Sequence, residues 1–290
     1  MMLNRIVADR LELAFSLRVH VAAVPLLVTA FFAPALHLSV STAYYSMIVV
    51  NTLGTYLANV VTDEREDAGN DRASWHLLTA HRSAFITVVI ACFAVSFVLA
   101  LQGGWQFVAF GFAINAFGAL YGGGVPLSRD GRSRLRIKNI VVLKNVYSAF
   151  FWSAGLLIAP YLYFHAAPPT MVLYAIAASF CWAFYIELLW DVRDAAGDRL
   201  ANVGTIPLRF GEAAARLGLH ALNLAGCAAL LAGRSAGLEV SLSLIGALTL
   251  FTAVFTELYM RMTERDWASH VYLIAVGVLL VAGIILRGVV

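Results

Sequence analysis

The sequence predicts an all-α integral membrane protein with about nine transmembrane helices. Two observations carry that prediction. Of 290 residues, 61% are hydrophobic and only 13% charged, and the mean hydropathy is +0.81. An ordinary soluble domain is roughly 45–50% apolar and about 25% charged. The apolar residues also gather into runs of about 20, the length a helix needs to cross a hydrocarbon core. A disordered chain, a coiled coil and a typical soluble enzyme are thereby excluded, and the chain reads as one transmembrane domain over 1–290.

The runs lie near 13–34, 38–61, 83–102, 105–124, 140–164, 170–190, 213–233, 239–260 and 267–287. Pro34 closes the first, Gly103 and Gly104 split the third from the fourth, and Pro168 and Pro169 precede the sixth. Gly233 and Gly237 bracket the turn after the seventh. The stretch from Arg5 to Arg18 leads straight into a full-length run, so no cleaved signal peptide is expected. Cys92, Cys181 and Cys227 all lie in apolar runs and have no metal-ligand spacing, which makes them small packing residues.

Arg and Lys set the orientation. With the N-terminus in the cytoplasm, the segments near 62–82, 125–139, 191–212 and 261–266 are inside. Only Arg234 and Arg287 of the 20 basic residues then fall outside, and Glu239 is the one acidic residue of 17 in an outer loop. An Arg- and Ala-rich composition points to a GC-rich bacterial genome, hence to the inner (plasma) membrane. The polar chemistry gathers at the cytoplasmic face.

Two helix ends there are acidic. Asn59, Asp63 and Asp67 follow one another at i, i+4 and i+8, one stripe of a helix. Asp191, Asp194 and Asp198 lie at i, i+3 and i+7, with Glu187 one turn earlier. The same interval separates Asp63 from Asp194 and Asp67 from Asp198, as an old internal repeat would leave it. Aligned carboxylates repel, and holding them where a span meets the interface adds a desolvation cost. An oxygen-seeking cation removes both problems, and Mg²⁺ shared with substrate phosphates is the fitting one. The alternative is that both clusters are solvated helix ends.

The segment after the fourth run supplies positive charge. Arg129 to Arg134 satisfy the positive-inside bias, while Arg136, Lys138 and Lys144 are placed to clamp a diphosphate ester.

At these residues the chain resembles the UbiA superfamily of intramembrane prenyltransferases, across nearly its whole length. Asn59-VVT-Asp63-ERE-Asp67 closes the second run and Asp191-VR-Asp194-AAG-Asp198 closes the sixth. The run Arg199-LANVGTIPLRFG, Tyr121, and Lys144-Asn145 entering the fifth run also look like family positions. The resemblance implies a UbiA-like bundle around a central cavity. It implies a pair of Mg²⁺ ions held by Asn59, Asp63, Asp67, Asp194 and Asp198, with Asp191 assisting. Asp63, Asp67, Asp194 and Asp198 would be catalytic, and Asn59, Tyr121, Arg136, Lys138, Lys144 and Arg72 would bind substrate. Three departures stand out: Val60 where many members have Asp, no Arg-Pro after the first motif, and Val125 where many have a basic residue.

The implied reaction moves an isoprenyl group from its diphosphate to an aromatic or lipid-soluble acceptor through an allylic cation. Phe117, Tyr147, Phe150, Phe151, Trp152, Trp182, Phe184 and Tyr185 are candidates to face that cation with negative π surfaces. Arg18 is a candidate for an anionic acceptor, whereas no spacing ties His20, His76 or His81 to a site. Membrane lipid is the expected environment and no nucleic acid is expected. The competing readings are a UbiA-type terpene cyclase without acceptor and a cation or solute transporter. Transport favours carboxylates near the bilayer midplane, and here they gather at one interface.

Overall fold

The computed structural model describes residues 19–62, 73–123, 125–126, 134–135, 137–200, 203–262 and 266–287. Among these residues the chain is helical almost throughout. The long helices are α1 (Val19–Ala35), α2 (Thr42–Thr62), α3 (Ala73–Ala100), α4 (Gly104–Gly123), α5 (Leu143–Tyr163), α6 (Val172–Leu200), α7 (Glu212–Ser235), α8 (Leu242–Tyr259) and α9 (Asp266–Arg287). They match the apolar runs one for one. A two-residue antiparallel pairing, Val125 with Leu135 and Pro126 with Arg134, follows α4.

Among the described residues six segments are long and apolar enough to cross a membrane, and one of them, Leu78–Gly118, contains most of both α3 and α4. The two helices are divided by a 3₁₀ turn at Leu101–Gly103 and by Gly104, whose φ of 78° suits glycine. Within the described residues α1 contributes a shorter apolar stretch, His20–Ala35. Asn51, Thr52, Thr55 and Asn59 make α2 more polar than its neighbours.

Two boundaries differ from the hydropathy pattern. Helix α3 starts at Ala73, ten residues before its apolar run, and bends at His81 (φ −136°, ψ 38°). Helix α6 continues to Leu200, well past its apolar run at 190. Helical hydrogen bonding does not require apolar side chains, so a span can project from the membrane as an amphipathic extension. The second case matters for function, because Asp191, Asp194 and Asp198 ride on that extension.

Small residues bring helices together, as they do where lipid supplies no hydrophobic drive between helices. A Cβ on Gly54 of α2 would lie 2.9 Å from the Cβ of Cys92 on α3, so these two backbones meet at this point. The main core joins α1, α5, α6, α7, α8 and α9 through Phe31, Leu157, Ala178, Leu230, Leu244 and Leu280, with Cys227 packed against it. A second cluster centred on Tyr185, Leu189, Leu219 and Tyr259 holds the other end of α6 against α7, α8 and α9. Tyr259 hydroxyl donates to the Leu189 carbonyl at 2.9 Å there. These contacts hold the acidic end of α6 in place.

Candidate active site

Helix α5 opens after Val142, a β-branched residue held at φ 67°, a conformation that such residues rarely adopt. The turn aims Lys144, Asn145 and Ser148 at α6. Lys144 Nζ lies 2.6 Å from Asp191 Oδ1, and Asn145 Nδ2 donates to Asp191 Oδ2 at 2.9 Å. Ser148 hydroxyl donates to Glu187 Oε1 at 2.6 Å. Asp191 is 3% exposed, a burial that an ionised carboxylate tolerates only when paired and hydrogen-bonded. Asp198 and Glu187 also lie within electrostatic reach of Lys144.

On the adjoining face of α6, Arg193 grips Asp194 with two bonds, Nε to Oδ1 at 2.7 Å and Nη2 to Oδ2 at 2.8 Å. Its Nη1 donates to Ser269 of α9 at 3.2 Å, and its guanidinium sits 5.7 Å from the Trp190 ring centre. Beside Ser269, His270 meets His20 of α1, Nδ1 to Nε2 at 2.8 Å. That contact gives His20 a partner no spacing had indicated.

An apolar cavity lies directly beneath these groups; its empty space, counted together with the open space it adjoins, is about 840 Å³. Its wall is built from α1, α2, α5, α6 and α9, and among the described residues Glu187 is the one charged residue on it. Tyr56 of α2 stacks on Trp152 of α5 with ring centres 5.7 Å apart and stands edge-on to Trp190 of α6 at 6.4 Å. On α6, Glu187 and Trp190 are one turn from Asp191 and Asp194; on α2, Tyr56 is one turn from Asn59. One end of the cavity is therefore the underside of the polar cluster.

The aromatic expectations divide accordingly. Trp152 and Trp182 line the cavity. Tyr185 is buried in the α6–α8–α9 core, 2.8 Å from the Thr256 hydroxyl, and Phe184 packs against the same core. Phe117 and Phe150 are exposed on the outer surface. Tyr147 and Phe151 form a separate aromatic row with Tyr121, which stacks on Tyr147 at 5.5 Å. Sequence reasoning missed Tyr56, Trp190 and Arg193, although each lies within one helical turn of a motif residue.

Of the residues expected to bind metal or substrate, Asn59 is half-buried on α2, and Lys138 is buried in a 3₁₀ turn at Ile137–Asn139. Asp63, Asp67, Arg72, Arg136 and Arg18 lie outside the described residues. Among the described residues no three His, Cys, Asp or Glu side chains converge as a metal site. The donor chemistry present nevertheless fits Mg²⁺, being carboxylate and amide oxygen. Asn145 Oδ1 in particular is buried beside Asp191 and has no hydrogen-bond partner among the described residues, an acceptor left open to a cation or donor.

The profile of the UbiA prenyltransferase family matches residues 21–276, from the start of α1 into α9. The chain belongs to the UbiA family. A search of curated proteins finds no match. Solved UbiA folds do match. A UbiA homolog from Aeropyrum pernix K1 superposes with a TM-score of 0.66 at 17% identity, covering 92% of this chain and 97% of that one. A UbiA homolog from Archaeoglobus fulgidus, bound to GPP and Mg²⁺, gives 0.62 at 16% identity over 94% and 99%. Digeranylgeranylglyceryl phosphate synthase gives 0.58 at 12% identity over 93% and 98%. The UbiA fold thus extends over nearly the whole chain, and with its apolar spans the protein is an integral membrane protein.

Proposed function

We propose that this UbiA protein is a Mg²⁺-dependent intramembrane prenyltransferase, transferring an isoprenyl group from its diphosphate to an aromatic or lipid-soluble acceptor. The observation that carries this reading is the shared boundary between the aromatic cavity and the carboxylate-bearing turn of α6. Glu187 and Trp190 belong to both. A molecule with an anionic head and a hydrocarbon tail has a place for each half at that boundary. The Archaeoglobus fulgidus homologs bound to GPP or DMAPP with Mg²⁺ support the same ligand class.

In this reading Asn59, Asp63, Asp67, Asp194 and Asp198 hold Mg²⁺, with Asp191 assisting, and the metal supplies Lewis-acid stabilisation to the departing diphosphate. Lys144 and Asn145 hold Asp191 in place and keep its charge balanced. Lys138, Arg136, Arg72 and Tyr121 bind the diphosphate around that cluster. Tyr56, Trp152 and Trp190 present π faces to the allylic cation left behind, each good contact being worth about 0.5–2 kcal/mol. The apolar wall excludes water, which would otherwise capture the cation. In this reading the site faces the cytoplasm from a bacterial plasma membrane, an orientation that the bias of Arg and Lys supports.

The test is incubation of purified protein with prenyl diphosphates of several lengths, with Mg²⁺ or EDTA, with and without a panel of acceptors. Mg²⁺-dependent diphosphate release coupled to a prenylated acceptor is expected. Hydrocarbon or cyclic alcohol formed without acceptor assigns the cyclase reaction instead. No Mg²⁺-dependent release at any chain length overturns both.

A further inference from the structure

The allylic carbon that reacts carries the diphosphate, so it lies where the aromatic cavity meets the polar cluster, whichever way the rest of the isoprenyl chain runs. An acceptor must bring its nucleophilic atom to that same boundary. The polar side chains that α6 places on the cavity wall there are Glu187 and Trp190. Spaced i, i+3, they are neighbours on one helix face. A carboxylate accepts from several donors, and the Ser148 hydroxyl is one of them, 2.6 Å from Glu187 Oε1. The Trp190 indole N–H is buried and has no hydrogen-bond partner among the described residues. Flat rings stand beside them: Tyr56 lies at 17° to Trp152 and at 88° to Trp190. Among the described residues no Lys, Arg or His lines the cavity. Lys144 has Asp191, Asp198 and Glu187 all within electrostatic reach, three carboxylates around one ammonium.

We infer that the acceptor is a neutral hydroxylated aromatic, a phenol or hydroquinone, recognised by Glu187 and Trp190. The inference rests on the prenyltransferase reading above and names the acceptor class which that reading leaves open. The acceptor hydroxyl donates to the Glu187 carboxylate, and one of its oxygens accepts from Trp190 Nε1. A planar ring packs offset or edge-to-face against Tyr56, Trp152 and Trp190, contacts that a flexible glyceryl headgroup does not make. A carboxylate or phosphate on the acceptor would instead meet Glu187 on a wall that carries no described cation. Like charges about 5 Å apart, at an effective dielectric of about 20, repel enough to weaken binding about 10²-fold. Glu187 therefore selects against anionic acceptors while it orients neutral ones.

Two matched pairs of compounds test this: methyl 4-hydroxybenzoate against 4-hydroxybenzoate, and 1,4-dihydroxynaphthalene against 1,4-dihydroxy-2-naphthoate. Transfer is measured in nanodiscs with geranyl diphosphate and Mg²⁺, and binding with the non-ionising geranyl S-thiolodiphosphate in its place. The neutral member of each pair is expected to bind about 10- to 100-fold tighter and to be prenylated. Glu187→Gln keeps an oxygen for Ser148 and removes the charge. It is expected to compress the neutral-to-anionic ratio of kcat/KM by at least about 10-fold, and comparing that ratio with the unmodified protein's cancels the reactivity of the rings themselves. Trp190→Phe keeps a ring without the N–H, and is expected to raise the acceptor KM about 5- to 10-fold with the KM for geranyl diphosphate unchanged. Equal or tighter binding of the anionic members in the unmodified protein overturns the inference. So does an unchanged ratio in Glu187→Gln; where that variant no longer binds the thiolodiphosphate, an unchanged acceptor KM in Trp190→Phe overturns it instead. Failure of all four compounds to bind or react, with Mg²⁺-dependent thiolodiphosphate binding intact, overturns it too. Absence of that Mg²⁺-dependent binding overturns the prenyl-diphosphate reading itself, which separates the two failures.

Discussion

Lys144 and Asp191 form a buried ion pair, with 2.6 Å between Nζ and Oδ1, that ties α5 to α6. Asn145 satisfies the other carboxylate oxygen. The pair lies one turn from Glu187, so it also helps to position that cavity-lining residue. Removing one member leaves the other charge buried and unpaired, which typically costs 3–5 kcal/mol, whereas replacing both can be close to neutral for stability. Lys144→Met alone and Asp191→Asn alone are therefore expected to lower thermal stability in detergent by about that amount. The double variant is expected to recover much of it. Additive losses in the double variant would show that the pair is not the joint between these helices.

Metal binding separates from folding at Asp194. Its carboxylate is more exposed than that of Asp191, and Arg193 keeps Ser269 and the Trp190 ring as partners without it, so its loss costs the fold less than that of Asp191. Asp194→Ala is expected to keep the protein folded in the membrane while reducing Mg²⁺-dependent diphosphate release by at least about 10²-fold, the usual scale for losing an electrostatic stabiliser of a leaving group. Asp63→Ala is expected to do the same. Near-normal release in either variant would remove the metal assignment.

Trp152 distinguishes a π surface from a merely apolar one. It stacks on Tyr56 in the cavity wall. Trp152→Phe keeps a negative face and is expected to retain most of the turnover. Trp152→Leu is expected to lower kcat by about 10-fold with KM little changed, because a cation–π contact is made with the transition state and not with the neutral chain. Equal kcat in the two variants would assign Trp152 to packing.

Gly54 tests how tightly the first motif depends on helix packing. Its position admits no Cβ without displacing Cys92, which would lie 2.9 Å away. Gly54→Ala is expected to cost about 1–3 kcal/mol of stability, the usual penalty for overpacking. It also tilts the α2 end that carries Tyr56 and Asn59. Adding Cys92→Gly removes the opposing Cβ and is expected to restore melting temperature in detergent. Failure of that rescue would place the strain elsewhere.

Hydropathy is a property of consecutive residues, and for that reason the helices of this protein are readable along the chain. The apolar runs coincide with nine described helices, and the two acidic motifs mark the helix ends where the polar chemistry gathers. The family is equally legible, since two acidic motifs of matched spacing lie at corresponding helix ends, a pattern local to each stretch of chain. Packing between distant helices is not a local property. Nothing near Lys144 in the chain says that it meets Asp191, nor that Trp190 faces the cavity while Tyr185 turns into the α8–α9 core. Those choices follow from which faces of α5, α6 and α9 come together, and from a helix α6 whose hydrogen bonding outruns its hydrophobicity. The cavity wall arises in the same way, from residues of α1, α2, α5, α6 and α9 that no single stretch of sequence brings together.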